Sequence, residues 1–326
     1  MKPVFCLGDI CMDLVLPLGA VKRAEHGEPI ARAETDAVFR HGGSVANTAA
    51  GLLRLGIPVQ FCGTVGRDAY GDALKSELAS LGADVSTLRS DPESPTLLIA
   101  IVVDENGERT ALATHRTCAS QHQLVPEQIP ADLEHQISWL HTSGVMLREE
   151  PAASIVLDAM RRCRAAGVPV SLDIMARIES LKDPVFMQKL TKAAAMSTVL
   201  LGSVRDEIPL LANGTSPESI RALTAGGRIV AARDGANGST VYTETETLHC
   251  PAFPVPVVDT IGAGDAYTAG FIAAMLRGES LAAANRAGCA MGSYCVTQKG
   301  GRIAPTAKDI IPSLSAADAV SASESR

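Results

Sequence analysis

The sequence predicts an α/β protein with a mainly parallel sheet and helices on both faces of that sheet. Strand-like and helix-like segments alternate regularly from residue 137 to residue 300. Two glycine-rich junctions, at 41–56 and 259–276, lead into helices of small apolar residues. Several β-like segments in the first 118 residues fall outside this alternation, so a small second sheet is predicted beside the main one.

The chain opens with an apolar run over residues 4–16, which is predicted to form the first buried strand. Gly8 permits a close approach of the backbone there, and Asp9 and Asp13 interrupt the apolar pattern. Open α/β sheets bind ligands beyond the carboxyl ends of their strands, so Asp13 is a candidate for a ligand pocket. A strand end that simply reaches solvent is the alternative.

The small second sheet is predicted from three segments. Residues 31–39 alternate like a half-exposed strand, and segments 96–103 and 109–114 flank an Asn106-Gly107 pair that favours a hairpin. Further strands are predicted at 59–65, 138–144, 168–174, 198–201 and 228–233, and further helices at 152–167, at 266–276 and from 281.

The first glycine junction begins at Gly42-Gly43 and predicts a helix that stops at Gly56. Asn47 lies one turn into this helix. Two interpretations remain open: the glycine amides and Asn47 bind a ligand, or they only start a packed helix.

The second junction, Val255 to Ile272, combines a β-branched segment that suits a strand, a glycine turn, an acid and a helix. A helix N-terminus presents unpaired N–H groups and a positive dipole end. Gly262-Ala263-Gly264 lets that backbone close on an anion, of which phosphate is the obvious one. The Asp265 carboxylate would repel this anion, so its presence at the site suggests a function. One such function is to accept a proton from an attacking hydroxyl.

Two other interpretations of this junction compete. The glycines could merely turn the chain while Asp265 caps the helix. A dinucleotide fingerprint would need a third glycine where Tyr267 stands, and it normally lies in the first βαβ unit. No Gly-x-x-x-x-Gly-Lys-Ser/Thr sequence occurs, which argues against a P-loop nucleotidase.

Composition argues against several classes of protein. The 326 residues, 46% of them hydrophobic, allow one large core. A net charge of −7, no Lys/Arg run and 3% aromatic residues argue against nucleic acid or an acidic membrane as partner. Eight cysteines without a Cys-x-x-Cys pair predict buried reduced thiols and hence a cytoplasmic location. Neither a signal peptide nor a membrane span is expected.

Two motifs carry a family resemblance. The stretch Asp259-Thr-Ile-Gly-Ala-Gly-Asp265, continuing through Ala269-Gly-Phe271, resembles the C-terminal signature of the PfkB family of carbohydrate kinases. The segment Gly66-Arg-Asp-Ala-Tyr-Gly71 resembles the N-terminal signature of the same family. The resemblance covers roughly residues 3–312, nearly the whole chain.

The resemblance implies the ribokinase-like fold, which is a three-layer α/β/α architecture with a mainly parallel central sheet and a small β-sheet lid. One kinase domain would span residues 1–312, with the lid from about 14–40 and 95–118. The Ser- and Ala-rich tail, 313–326, is predicted to be disordered.

The resemblance also implies roles for the matching residues. The catalytic base is Asp265, with an anion hole at Gly262, Ala263 and Gly264. The implied sugar-binding residues are Asp13, Gly42, Gly43, Asn47 and Arg177. The implied nucleotide-binding residues are Thr260, Asp234, Gly235, Gly238 and Ser203. Magnesium would be held through water by Asp206 and Glu207, and a monovalent cation such as potassium by Asp259.

The chain departs from the family pattern at two places. Met175 stands where the family has Asn in an Asp-x-Asn-x-Arg segment. The family's Asn-x-x-Glu motif, which organises magnesium, corresponds here to Ser203 and Asp206, with Glu207 beside them. An acidic function survives, but the responsible carboxylate is not decided by the motif.

The predicted function is ATP-dependent phosphorylation of a hydroxyl on a small sugar or sugar acid, with ATP and Mg²⁺ as implied cofactors. A nucleoside kinase and a catalytically silent sugar-binding protein on the same fold are the alternatives. The few aromatic residues of the lid segments speak against a nucleoside, and the intact Asp265 speaks against a silent protein. A homodimer formed through the lid is expected, because an exposed sheet edge favours pairing.

Overall fold

The computed structural model describes residues 1–17, 22–23, 31–32, 36–103, 109–113, 119–176 and 178–302. The helices in these residues are α1 Ser44–Arg54, α2 Ala69–Ser80, α3 Leu133–Gln136, α4 Ala152–Ala165, α5 Pro184–Met196, α6 Pro209–Ala212, α7 Pro217–Ala222, α8 Ala263–Leu276 and α9 Leu281–Cys295. The strands are β1 Val4–Leu7, β2 Cys11–Pro17, β3 Lys22–Arg23, β4 Ala31–Arg32, β5 Val38–Gly42, β6 Val59–Gly66, β7 Leu88–Asp91, β8 Leu98–Val103, β9 Arg109–Ala113, β10 Trp139–Ser143, β11 Val170–Asp173, β12 Val199–Ser203, β13 Ile229–Arg233, β14 Ser239–Tyr242 and β15 Thr247–Cys250.

A large, mainly parallel sheet forms the centre of the molecule. Its strand order is β15-β14-β13-β12-β11-β10-β1-β6-β7. Neighbouring strands are parallel from β7 to β13, and the pairs β13–β14 and β14–β15 at one edge are antiparallel. The parallel sheet predicted from the strand–helix alternation is therefore confirmed.

The two faces of this sheet are buried under separate groups of helices. Along β1, Val4 and Cys6 point into one hydrophobic cluster, whereas Phe5 and Leu7 point into the other. The first cluster contains residues of α1, α2, α8 and α9, and the second contains residues of α3 to α7. Because alternate side chains of a strand face opposite sides, both faces need helical cover, which gives the predicted three layers.

The small second sheet has the order β5-β2-β8-β9. Strands β8 and β9 pair antiparallel, as predicted, although the Asn106-Gly107 turn lies outside the described residues. The prediction of one strand over 4–16 is wrong, because the chain leaves the large sheet after Leu7 and joins the small sheet at Cys11. A Cβ on Gly43 would lie only 2.6 Å from the carbonyl oxygen of Asp9. The start of α1 therefore packs closely against the chain between β1 and β2.

The β-branched segment before the second glycine junction is not a strand, so that prediction is also wrong. Residues 251–258 have no regular structure, and Val257 and Val258 are exposed. Pro254 and Pro256 explain the difference, because proline has no N–H to donate to a strand ladder.

The strand predicted over 31–39 is wrong in its bounds, because Ala31–Arg32 pairs with β3 in a separate two-stranded sheet and the strand that joins the small sheet is Val38–Gly42. The other predicted elements are found with ends shifted by a few residues. The predicted disordered tail lies outside the described residues. None of the helices within the described ranges is long and apolar enough to cross a membrane. The described cysteines are free thiols, and all of them except Cys250 are buried.

Candidate active site

The site lies where the N-termini of α1 and α8 meet beside the large sheet. Asp265, in the first turn of α8, accepts a hydrogen bond from Ser44 Oγ at 2.7 Å and another from Asn47 Nδ2 at 2.8 Å. Thr48 Oγ1 donates to the Asp265 carbonyl at 3.3 Å. Helix α1 therefore holds both oxygens of the candidate base in one orientation.

The N-terminus of α1 is itself held by a second carboxylate. Asp9 Oδ2 accepts from the Ser44 amide at 2.6 Å, and Asp9 Oδ1 accepts from Ser143 Oγ at 2.9 Å. Asp9 is buried and satisfied by α1 and β10, so it acts as a structural anchor for α1.

Burial controls the charge of Asp265. The side chain is 7% exposed, and this burial raises its pKa to about 7, although the hydrogen bonds from Ser44 and Asn47 oppose the rise. The nearby carboxylates Asp173 and Asp9 add a smaller upward contribution. A carboxylate with a pKa near neutrality is suited to general base catalysis, because it is both ionised and basic enough near pH 7.

The loop before α8 presents backbone amides toward the same region. Gly262 caps the helix with φ of 79°, a left-handed conformation that glycine adopts readily. The amides of Gly264 and Asp265 stand in the first turn, where the helix offers them no acceptor. Together with the dipole of α8, these amides can bind a phosphoryl oxygen.

Gly262→Ala is expected to damage this loop more than its left-handed conformation alone would predict. A Cβ on residue 262 would lie 2.3 Å from Cα of Gly301. The steric clash and the left-handed backbone conformation should each lower the free energy of unfolding by roughly 1–3 kcal/mol. Gly278→Ala is the matched control, because Gly278 has φ of 74° with open space around it. Urea unfolding should show the greater loss for Gly262→Ala, together with lower ADP release. Equal losses of stability in the two variants would contradict this prediction.

A cavity of about 740 Å³ extends from Asp265 to the antiparallel edge of the large sheet. Gly235 and Gly238 line it, and a Cβ on Gly238 would lie 2.1 Å from the Cys250 carbonyl. The described apolar lining residues include Phe253, Val255, Val257 and Val296. The cavity therefore joins an anion-binding end to an apolar end, which is the arrangement a nucleotide requires.

Arg233 is the central cation of the cavity. It forms a bidentate ion pair with Asp173, at 2.7 and 2.8 Å, and its Nη2 lies 3.2 Å from Glu207 Oε2. Its Nη1 also donates to the Gly264 carbonyl at 3.0 Å. Burial disfavours the charge of Arg233, but Asp173 and Glu207 outweigh it and raise the pKa of this guanidinium. Arg233 on β13 therefore links Asp173 of β11 and Glu207 in the turn after β12 to the anion-binding loop.

The candidate sugar-binding residues lie on the other side of Asp265. Asp13, on β2, is half-buried, and burial raises its pKa to about 6. A Cβ on Gly42 would lie 2.4 Å from Asp13 Oδ2, so a glycine is needed beside this carboxylate. Asn47 is closer to the base than the sequence suggested, because its amide contacts Asp265 directly. Arg177 lies outside the described residues.

A second buried arginine, Arg302, reaches this side from the end of the described chain. Its Nε donates to Asn47 Oδ1 at 3.0 Å, and its Nη1 donates to Glu77 Oε2 at 2.9 Å. Its Nη2 donates to the Gly42 carbonyl. Burial lowers the pKa of Arg302, although Glu77 opposes this effect.

The two acids of the altered magnesium motif are placed differently. Glu207 lines the cavity, and its Oε2 accepts from the Ser203 amide at 2.7 Å. Burial raises the pKa of Glu207 against the effect of Arg233. Asp206 is exposed, with Oδ2 3.3 Å from Ser203 Oγ, and it does not line the cavity. Glu207 is therefore the better placed of the two carboxylates.

The remaining predicted residues are partly engaged elsewhere. Thr260 lines the cavity, whereas Asp234 lies outside it and contacts Arg205 and Asn237. Asp259 accepts from the amides of Ile261 and Gly300 and lies 3.3 Å from Arg40 Nη1. The role of Asp259 as a ligand for a monovalent cation stays a prediction.

Sequence reasoning missed four residues of the site: Asp9, Ser44, Arg233 and Arg302. Ser44 directly follows the Gly42-Gly43 pair, and Arg233 ends a predicted strand just before the nucleotide loop, so both positions offered a weak signal. Nothing near Arg302 in the sequence indicates a partner 255 residues away.

Comparison with known proteins identifies the class to which this fold and site belong. The model of the pfkB family of carbohydrate kinases matches residues 1–308. The chain therefore belongs to this family and is a carbohydrate kinase, a phosphotransferase with an alcohol group as acceptor.

Two curated relatives indicate the range of activities among similar proteins. The chain is 32% identical to a fructokinase of Klebsiella pneumoniae over 237 residues, which cover 72% of this chain and 76% of that protein. It is 27% identical to a 5-dehydro-2-deoxygluconokinase of Listeria monocytogenes over 314 residues, which cover 93% of both proteins.

Solved structures match the same fold. A protein described as a putative ribokinase II from E. coli, in complex with ATP and Mg²⁺, has a TM-score of 0.80 at 23% identity and covers 93% of this chain and 95% of that one. A fructokinase double mutant from Vibrio cholerae O395, with fructose, ADP and potassium bound, also has a TM-score of 0.80 at 23% identity. That match covers 96% of this chain and 98% of the other.

Proposed function

We propose that this kinase transfers the γ-phosphoryl group of ATP to a hydroxyl of a small sugar or sugar acid, with Asp265 as the general base. The observation that carries the proposal is the position of Asp265. It is buried beside anion-binding amides at one end of the 740 Å³ cavity, and its pKa is raised to about 7. The two curated relatives, one a fructokinase and the other a kinase of a sugar acid, support this substrate class.

The proposed reaction uses the groups around Asp265. Asp265 accepts the proton of the sugar hydroxyl, and the hydroxyl oxygen forms a bond to the γ-phosphorus while the bond from phosphorus to ADP breaks. The amides of the Gly262–Gly264 loop stabilise the negative charge on the phosphoryl oxygens. Asp13 and the Gly42-Gly43 segment hold the sugar, because a carboxylate accepts hydrogen bonds from two adjacent hydroxyls.

The residues that line the cavity are suitable for a magnesium ion that arrives with the nucleotide. Mg²⁺ prefers oxygen ligands and keeps several of its waters, and Glu207 and Ser203 offer oxygen atoms near the anion-binding loop. When bound, Mg²⁺ would neutralise charge on the phosphate oxygens. In the described part of the chain no three His, Cys, Asp or Glu side chains form a metal cluster.

The substrate class is tested by measuring ADP release with ATP and Mg²⁺ across sugars, sugar acids and nucleosides. Stimulation by one sugar or sugar acid, abolished in Asp265→Asn, would support the proposal. Stimulation by nucleosides alone would replace it with a nucleoside kinase. Thermal stabilisation by a sugar without any ADP release would indicate a silent binding protein.

The pH dependence of kcat/KM should show an acidic limb near pH 7. Burial raises the pKa of Asp265 to about 7, and only the ionised carboxylate accepts a proton. Activity should therefore fall tenfold for each pH unit below this value and level off above it. A profile measured between pH 5 and pH 9 that stays flat down to pH 5 would contradict the role of Asp265.

The small sheet is the proposed dimer surface. Phe39 and Leu112 lie on its two edge strands and are 52% and 58% exposed. Exposed apolar side chains on an edge strand favour pairing with a second copy. Light scattering over a range of concentrations tests this, and a monomer at micromolar concentration would contradict it.

A further inference from the structure

Arg302 makes contacts that the proposed reaction does not yet use. It is 8% exposed and joins the side chain of Asn47, the Gly42 carbonyl and Glu77 of α2. Each of its three contacts goes to a different element around the sugar side of the site. An arginine suits this position, because its planar guanidinium can donate to several acceptors in fixed directions.

The contact with Asn47 determines which way its amide faces. A side-chain amide has a donating and an accepting end. Asn47 Oδ1 accepts from Arg302 at 3.0 Å, and Asn47 Nδ2 donates to Asp265 at 2.8 Å. A rotated amide would place its oxygen against the Asp265 carboxylate and its NH₂ group against the guanidinium, and both contacts would be repulsive.

Arg302 is itself held from behind. Glu77 Oε2 accepts a hydrogen bond from Arg302 Nη1 at 2.9 Å. The same oxygen lies 3.9 Å from Nδ1 of His41. Neighbouring glycines allow the segment to approach, since a Cβ on Gly301 would lie 2.9 Å from Asn47 Nδ2. The cation is therefore fixed on one side by Glu77 and on the other by Asn47.

We propose that Arg302 is a positioning residue for the general base, acting through the amide of Asn47 to keep Asp265 in its ionised, hydrogen-bonded form. This inference rests on the proposed role of Asp265. Arg302 does not contact the base; it acts on Asp265 mainly through the hydrogen bond to Asn47, and its positive charge adds a smaller direct effect.

The charges around Asp265 set the direction of the effect. Among the described residues, the ionisable groups that interact with it electrostatically include Asp9, Asp173, Arg233, Arg302 and Cys295. The hydrogen bond from Asn47 lowers the pKa of Asp265, and the positive charge of Arg302 acts in the same direction. Removal of Arg302 weakens both influences, so the pKa of Asp265 should rise.

The test is the pH profile of kcat/KM for Arg302→Met. The acidic limb should move upward by about one pH unit. A shift of one unit in the pKa of Asp265 corresponds to about 1.4 kcal/mol, which is about the contribution of one hydrogen bond to a charged group. Activity should fall roughly fivefold at pH 7 and recover at pH 9, where the base is ionised again. A loss of activity that is equal at every pH would overturn the proposal, because a merely structural defect does not depend on the ionisation of Asp265.

Two further variants control this experiment. Arg162→Met removes a partly buried arginine far from the site, which contacts Glu134 and the carbonyls of Pro130 and Ala131, and it should leave the profile unchanged. In an Asn47→Ala background, Arg302→Met should shift the limb by less than half as much, because the mediating amide is absent. A full additional shift in that background would overturn the route through Asn47.

Arg302→Lys covers the case in which Arg302→Met does not fold. The lysine keeps a cation but lacks the planar guanidinium that contacts three acceptors together, so a smaller upward shift of the acidic limb is expected, and an unchanged limb would overturn the proposal.

A failure of the proposed function can be distinguished from a failure of the role of Arg302. If Asp265→Asn remains active, the assignment of the base is wrong and the role of Arg302 falls with it. If Asp265→Asn is inactive and the Arg302 variants keep the wild-type limb, only the role of Arg302 is wrong.

Discussion

Asp265→Asn is expected to lower kcat by about 10²–10⁴-fold while sugar binding is retained. The carboxamide has the shape of the carboxylate but cannot take a proton from the sugar hydroxyl at neutral pH. Its oxygen can accept from Asn47 Nδ2, and its NH₂ group can donate to Ser44 Oγ, since a hydroxyl rotates to accept or donate. ADP release at saturating substrate measures the loss, and the thermal shift produced by the sugar measures binding.

The stability of this variant separates a catalytic defect from a folding defect. Burial raises the pKa of Asp265 from 3.8 to about 7, so between these pH values the folded protein binds more protons than the unfolded chain. Stability therefore falls as the pH rises through this window. Asparagine does not ionise, so Asp265→Asn does not lose stability in this window. Above pH 7 the variant should be at least as stable as the wild type, and below pH 4 the difference in stability between the two proteins should be smaller. Near-wild-type turnover in a folded variant would refute the assignment of the base.

Arg233→Met is expected to lower the free energy of unfolding by about 3–5 kcal/mol, the cost typical of breaking a buried ion pair from one side. The substitution leaves Asp173, which is 1% exposed, and Glu207 without their shared cation. It also removes the donor to the Gly264 carbonyl, so the anion-binding loop loses its connection to the sheet. Urea unfolding measures the first effect, and ADP release should fall together with it.

Two comparisons make this prediction specific. Arg161→Met removes an exposed ion pair with Asp158 on α4, and such pairs contribute about 0–1 kcal/mol, so its stability and turnover should stay near those of the wild type. Adding Asp173→Asn to Arg233→Met should restore part of the stability, because the unpaired buried charge is then gone. If Arg233→Met were as stable as Arg161→Met, the buried network would not support the site as described.

Much of this architecture follows from local patterns in the sequence. Alternating strand and helix segments predicted the parallel sheet, because each periodicity reflects which face of an element is buried. The glycine junction before Asp265 predicted a helix N-terminus with a carboxylate in its first turn, since only short-range geometry is involved. Two local errors also have local causes: the prolines at 254 and 256 prevent a strand, and a break near Asp9 divides the first predicted strand between two sheets.

The sequence by itself therefore determined the fold class, the family and the position of Asp265 at the start of its helix. Only the tertiary structure decided how that carboxylate is held and tuned. Ser44 and Asn47 reach it across more than two hundred residues of chain, Arg233 connects its loop to the sheet, and Arg302 orients Asn47 from the end of the described chain. Burial and long-range hydrogen bonds set the pKa of a carboxylate, and neither is encoded in the spacing of residues near it.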